Sequence, residues 1–136
     1  MSTYGNPYTI HDNSLVLSLD ASNQKSYIGS GTSWLDISYN GNNGTLTNGP
    51  TFNSNNGGFI VFDGTNDYVD CGYATNVRTN SITYAVWIKF SVSQQSRTIM
   101  GIHKDMNFTT QGGASLGIHD DYPNKIKWHT SLHRTR

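Results

Sequence analysis

The stretch that most constrains this chain is Gly57 to Asp70, Gly-Gly-Phe-Ile-Val-Phe-Asp-Gly-Thr-Asn-Asp-Tyr-Val-Asp. Phe59 to Phe62 is an unbroken apolar run with aromatic and β-branched members, which pack well on a pleated surface and suit a strand covered on both sides. Asp63-Gly64-Thr65-Asn66-Asp67 follows with turn formers, of which Gly64 and Asn66 take positive φ cheaply. Tyr68-Val69 then reads as a returning strand. The pattern predicts a central hairpin in an all-β domain.

The rest of the chain is consistent with that class. In Ser14 to Asp20, Leu15, Leu17 and Leu19 share one face, as in a half-buried strand. Ala21 to Tyr39 reads as an irregular excursion pinned by Tyr27, Trp34 and Ile37. Asn40 to Gly44 and Asn48-Gly49-Pro50 are turn signals around short strands at Thr45–Thr47 and Thr51–Phe52. Ser81 to Phe90 has the strongest alternation. Ile82, Tyr84, Val86, Ile88 and Phe90 fall on one face, and Thr83, Ala85, Trp87 and Lys89 on the other. This pattern predicts a central strand, and Trp87→Ala is then expected to cost ~3–5 kcal/mol. Arg97–His103, Ala114–His119 and Lys125–His129 read as three further strands. No amphipathic helix and no internal repeat is found, so the pattern predicts a sandwich or barrel. Residues 1–13, polar and carrying Pro7, read as an N-terminal arm before a domain over 14–136. A sheet ending soon after His129 would leave an exposed edge for another chain or further residues to complete.

Composition narrows the partners. Hydrophobic residues at 35%, with 14 Gly, give roughly the ordinary 45%, while charged residues are only 13%, about half the usual share. Asn, Ser and Thr, 15 of each, fill the difference and favour turns and edges by competing for local backbone hydrogen bonds. A formal net charge of +0 provides no field to attract nucleic acid or an anionic membrane. Cys71 is the single cysteine, which excludes an intrachain disulfide and a Cys-rich zinc site. No run approaches the ~20 apolar residues of a membrane span. The first residues lack a basic region and an apolar signal core, so the expectation is a chain folded in a cytoplasm or a piece of a longer one.

Several blocks together resemble a known superfamily. They are Leu15-Val-Leu-Ser-Leu-Asp-Ala-Ser-Asn, Ser26-Tyr-Ile-Gly-Ser-Gly-Thr-Ser-Trp-Leu-Asp-Ile-Ser and Asn40-Gly-Asn-Asn-Gly-Thr-Leu-Thr-Asn-Gly-Pro-Thr-Phe, followed by Phe59-Ile-Val-Phe-Asp-Gly-Thr-Asn-Asp-Tyr-Val and Ser81-Ile-Thr-Tyr-Ala-Val-Trp-Ile-Lys. In this order they resemble the laminin-G-like, concanavalin A-like jelly-roll superfamily over about residues 14–90. The flavour is the one found in bacteriophage virion proteins and bacterial adhesins. The resemblance implies an antiparallel jelly-roll β-sandwich, incomplete at the C-terminus, and a binding or structural role without catalysis. It also implies glycan recognition in many members, calcium in some, and a buried corner at Trp34 and Asp36.

Candidate sites carry two readings each. Asp63, Asn66, Asp67 and Asp70 cluster enough oxygen donors to contribute to a Ca²⁺ site, with Asp20, Asn23 or Asp36 as further donors, but Asp and Asn are also ordinary turn formers. Trp34, Tyr27, Tyr39 and Tyr73 could stack on a sugar face. Trp34 equally reads as a plug whose indole N–H bonds a backbone carbonyl. His11, His103, His119, His129 and His133 form no recognisable metal pair on one element. All nine acids are Asp, so the glutamate pair of related glucanases is missing, and Asp120-Asp121 is a poor substitute for a spaced carboxylate pair. Asn43-Gly44-Thr45 and Asn107-Phe108-Thr109 match the glycosylation sequon, which has no meaning without secretion.

The sequence therefore predicts a non-enzymatic virion protein of a bacteriophage: a capsid decoration, knob or fibre module assembled in a host cytoplasm. Its expected partners are other virion proteins, further copies of itself and host-surface glycans, with no nucleic acid and no membrane insertion. The alternative is an extracellular, lectin-like carbohydrate-binding module with optional calcium.

Overall fold

The computed structural model describes residues 14–72, 81–90, 97–102, 113–118 and 126–131. The chain divides into two compact units, residues 1–77 and 78–136. The described residues are all-β, arranged in small antiparallel sheets with one short 3₁₀ turn at Asn55–Gly57. No helix among them is long and apolar enough to cross a membrane.

In the first unit, β1 (Ser33–Trp34), β2 (Gly44–Thr47) and β5 (Tyr68–Asp70) form one sheet in the order β1-β2-β5. A separate hairpin joins β3 (Thr51–Asn53) to β4 (Phe59–Val61). Leu46 is buried where β2 pairs with Val69 of β5. Trp34 lies opposite Gly44, and a Cβ on Gly44 would come within 2.6 Å of Val69 and 3.3 Å of Leu19. Only a glycine lets these three side chains converge over β2. Tyr27, 3% exposed, packs edge-on to Trp34 and at 5.4 Å from Phe52, and its hydroxyl donates to Gly31 O. The cluster holds the long excursion through Tyr27 and Trp34, two of the three residues expected to pin it, with Phe52 in addition.

Two expectations for this unit are corrected. Phe59–Phe62 and Tyr68–Val69 do not pair with each other: β4 pairs with β3, and β5 with β2. The Asp63–Asp67 turn thus passes the chain from one sheet to another. Side chains fix that crossing, since Asp67 Oδ2 accepts from Asp63 N and Asn48 Nδ2 donates to Asn66 O. The apolar run is also not covered on both sides, because Phe59, Val61 and Phe62 are exposed. The second correction concerns Ser14–Asp20, which forms no strand. Its backbone is held by side chains instead: Asn40 and Asn42 donate to Leu15 O and Val16 O, and Ser18 N donates to Asp36. Alternation reveals which face is apolar but not whether a ladder or side-chain amides will satisfy the backbone.

In the second unit, β6 (Arg97–Ile102), β7 (Gly113–Ile118) and β8 (Ile126–Ser131) form an antiparallel sheet with β7 central and a bulge between Thr98 and Met100. These match the three predicted strands within a residue or two. Among the described residues the strand predicted at Ser81–Phe90 is not formed: the segment joins no ladder with them, and Trp87 is fully exposed. Its alternation records a capacity for pairing that no described strand takes up. Tyr84 of this segment lies 5.2 Å from Trp128 of β8, ring centre to ring centre. The predicted arm, residues 1–13, lies outside the described residues.

Candidate functional site: the Asp36 corner

Asp36 organises the most elaborate polar structure described in the chain. Its Oδ1 accepts from Ser18 N and Ser38 N, both at 2.9 Å. Its Oδ2 accepts from Ser38 Oγ at 2.8 Å and Asn42 N at 3.0 Å. Asn43 Oδ1 in turn accepts from Asp36 N at 3.0 Å. Burial pushes the Asp36 carboxyl up, but the bonds from Ser18, Ser38 and Asn42 outweigh it and hold the group below its ordinary 3.8. One carboxylate thereby ties the 36–42 loop together and fastens it to Ser18, eighteen residues away.

Ser26 makes a second knot beside it. Only 1% exposed, its Oγ accepts from Asp20 N at 3.0 Å and donates to Leu35 O at 2.6 Å, while Leu35 N donates back to Ser26 O. Asp20 is thus employed locally, with its Oδ1 accepting from Ser22 N and Ser22 Oγ. Sequence reasoning found Asp36 through the resemblance but gave no weight to Ser26, Asn42 or Asn43. A serine or asparagine in a loop looks the same whether it faces solvent or staples a backbone group.

A shallow depression of about 360 Å³ opens beside the Asp36 corner, lined by Gly41, Asn42, Asn43, Thr45, Asp70, Cys71 and Gly72. Thr45 and Asp70 face each other across β2 and β5. Asp70 Oδ1 accepts from Gly72 N at 2.8 Å. Burial pushes the Cys71 thiol up, and the charges of Asp70 and Asp36 push it further, so the thiol stays protonated at neutral pH. What this surface offers a ligand is hydrogen bonding from amide, hydroxyl and carboxylate groups.

The structure distributes the predicted site residues unevenly. Of the proposed glycan-stacking set, Tyr27 is corrected: it is packed against Trp34 and Phe52, and its ring is not available for stacking on a sugar. Trp34 is half-buried, and its indole N–H is buried with no hydrogen-bond partner, where a backbone carbonyl is expected to accept it. Tyr39, 69% exposed with φ of 70°, does stand open to solvent. Tyr73 lies outside the described residues.

Of the proposed metal set, Asp63, Asn66 and Asp67 share one turn, and Asp70 ends β5. Their side chains make local bonds: Asp63 Oδ1 accepts from Thr65 N, Asp67 Oδ2 from Asp63 N and Asp70 Oδ1 from Gly72 N. Asp67 Oδ1 is buried without a partner. Among the described residues, no group of three or more His, Cys, Asp or Glu is placed to hold a metal ion. His129 falls in β8, opposite Ser115, and the other histidines lie outside the described residues.

Comparisons of the chain with protein-family models, with curated proteins and with solved structures find no match in any of the three.

Proposed function

We propose that this chain is a non-enzymatic structural module of a self-assembling particle, of the capsid decoration, knob or fibre kind found on bacteriophage virions, built on a laminin-G-like jelly roll. The observation that carries this reading is the set of large apolar side chains left exposed in the second unit. Among the described residues Val86, Trp87, Ile88, Phe90, Ile126 and Trp128 of the second unit are each exposed, Trp87 fully. Exposed apolar side chains that gather into a large patch mark interaction surfaces on folded proteins. The chain's zero net charge and low charge density place no electrostatic barrier against close packing of copies.

The resemblance to virion and adhesin modules supports the same reading. The particle would assemble in a host cytoplasm, and the exposed Tyr39 and the polar depression at Asn43, Thr45 and Asp70 would face host glycans. Sedimentation velocity on the purified chain tests the structural role. A discrete oligomer that persists on dilution supports it. A monomer at every concentration that binds immobilised glycans, with binding lost in Tyr39→Ala, transfers the function to the lectin-like alternative.

A further inference from the structure

We infer that Asn56–Gly57 is a self-modification site, where the chain closes a succinimide ring and opens it to aspartate or isoaspartate. Gly57 N attacks Asn56 Cγ and a C–N bond forms between them. The Cγ–Nδ2 bond breaks, and Nδ2 leaves as ammonia with the proton that Gly57 N gives up. Water then opens the ring. Hydrolysis at Cγ gives aspartate, and hydrolysis at the main-chain carbonyl gives isoaspartate, whose backbone runs through the side-chain carbons. Glycine suits the attacking position, because it carries no Cβ to block the approach and its backbone turns freely.

The sequence has four Asn-Gly steps, at Asn40, Asn43, Asn48 and Asn56, and the fold treats them differently. Asn40 Nδ2 donates to Leu15 O at 2.8 Å, and Asn48 Nδ2 donates to Asn66 O at 2.8 Å. Asn43 Oδ1 accepts from Asp36 N at 3.0 Å, and Gly44 after it is buried in β2 opposite Trp34. At these three steps the side-chain amide has to leave a partner before its carbon can meet the next nitrogen. Asn56 is exposed, and no hydrogen bond holds its side chain among the described residues. It lies at φ of 52° and ψ of 30° in the turn Asn55–Gly57, so ring closure has to rotate the peptide that follows it. Gly57, exposed and at φ of 93°, can follow that rotation where a residue with a Cβ could not. The conversion adds a negative charge to a chain of zero formal net charge. Isoaspartate also lengthens the main chain beside Gly58, where a Cβ would already lie 2.9 Å from Ala21 O and the Phe52 ring.

Peptide mapping by mass spectrometry after incubation at mildly alkaline pH, in buffer and in concentrated guanidinium chloride, tests the assignment. In denaturant the four sites are expected to convert at similar rates. In buffer Asn56 is expected to keep its rate, while the three tied sites slow by about two- to tenfold, the factor that one net hydrogen bond supplies. Asn56→Gln is expected to remove the main acidic product and leave conversion at the other three sites unchanged. Conversion at Asn40, Asn43 or Asn48 as fast as at Asn56 in buffer overturns the inference. So does protection of Asn56 by folding to the same degree as the tied sites, or an acidic product that persists in Asn56→Gln.

Discussion

Replacing Asp36 by alanine removes the acceptor for four hydrogen bonds at once. Two of them, from Ser38 N and Ser38 Oγ, are local and readily replaced by water. The other two, from Ser18 N and Asn42 N, tie the corner to chain eighteen and six residues away. A hydrogen bond to a charged group is worth about 1.5–3 kcal/mol when well shielded, and this corner is partly exposed. Counting the two long-range bonds near the low end, and the local pair as mostly recovered from water, Asp36→Ala should cost about 2–4 kcal/mol. Urea titration followed by tryptophan fluorescence and far-ultraviolet circular dichroism measures it. The pH dependence supplies an independent check. Asp36 titrates lower folded than unfolded, so its contribution is present above the unfolded value near 3.8 and is lost as pH falls through the folded value. The parent chain should therefore lose stability across that acidic window, and Asp36→Asn, which cannot ionise, should lack that share of the loss. A variant within about 0.5 kcal/mol of the parent at neutral pH, or an unchanged acid slope in Asp36→Asn, refutes the assignment of the corner as an organising element.

Other positions give further expectations. Gly58 has φ of 116°, and a Cβ there would lie 2.9 Å from Ala21 O and from the Phe52 ring, so Gly58→Ala should cost about 1–3 kcal/mol from backbone strain plus the clash, read as a lowered denaturation midpoint. Gly44→Ala should cost about 1–3 kcal/mol by overpacking against Val69, and a double-mutant cycle with Val69→Ala should recover part of it; strict additivity contradicts the contact. Ser26→Ala leaves Asp20 N and Leu35 O unpaired and should cost about 1–3 kcal/mol in the same urea assay. Trp87→Ala should change the stability of the unassociated chain by no more than about 0.5 kcal/mol, because the indole is fully exposed.

The strands best read from sequence are those whose turns name themselves. Asn48 and Gly49 both take positive φ after β2, and the three strands of the second unit fall close to their expected bounds. Pairing was less legible. The run at Phe59–Phe62 and the one at Tyr68–Val69 look like a hairpin because a turn-rich pentapeptide joins them. The same Asp and Asn side chains that build a hairpin turn can equally brace a crossover, and only the partner strands decide. Ser81–Phe90 shows the converse: a strand pattern states which face could be buried, not that anything buries it. At the candidate site, Asp36 was visible as the Trp-x-Asp corner implied by the resemblance. The stapling by Ser26, Asn42 and Asn43 was not, because it depends on which backbone groups lack a ladder.

The central claim is that the exposed apolar run of the second unit is covered when copies assemble. Hydroxyl-radical footprinting read by mass spectrometry at Trp87, on the dilute chain and on the concentrated chain, addresses it at one residue. Strong labelling in the dilute sample and protection in the concentrated one is the predicted result. Equal labelling of Trp87 in a sample shown to be assembled would contradict the account.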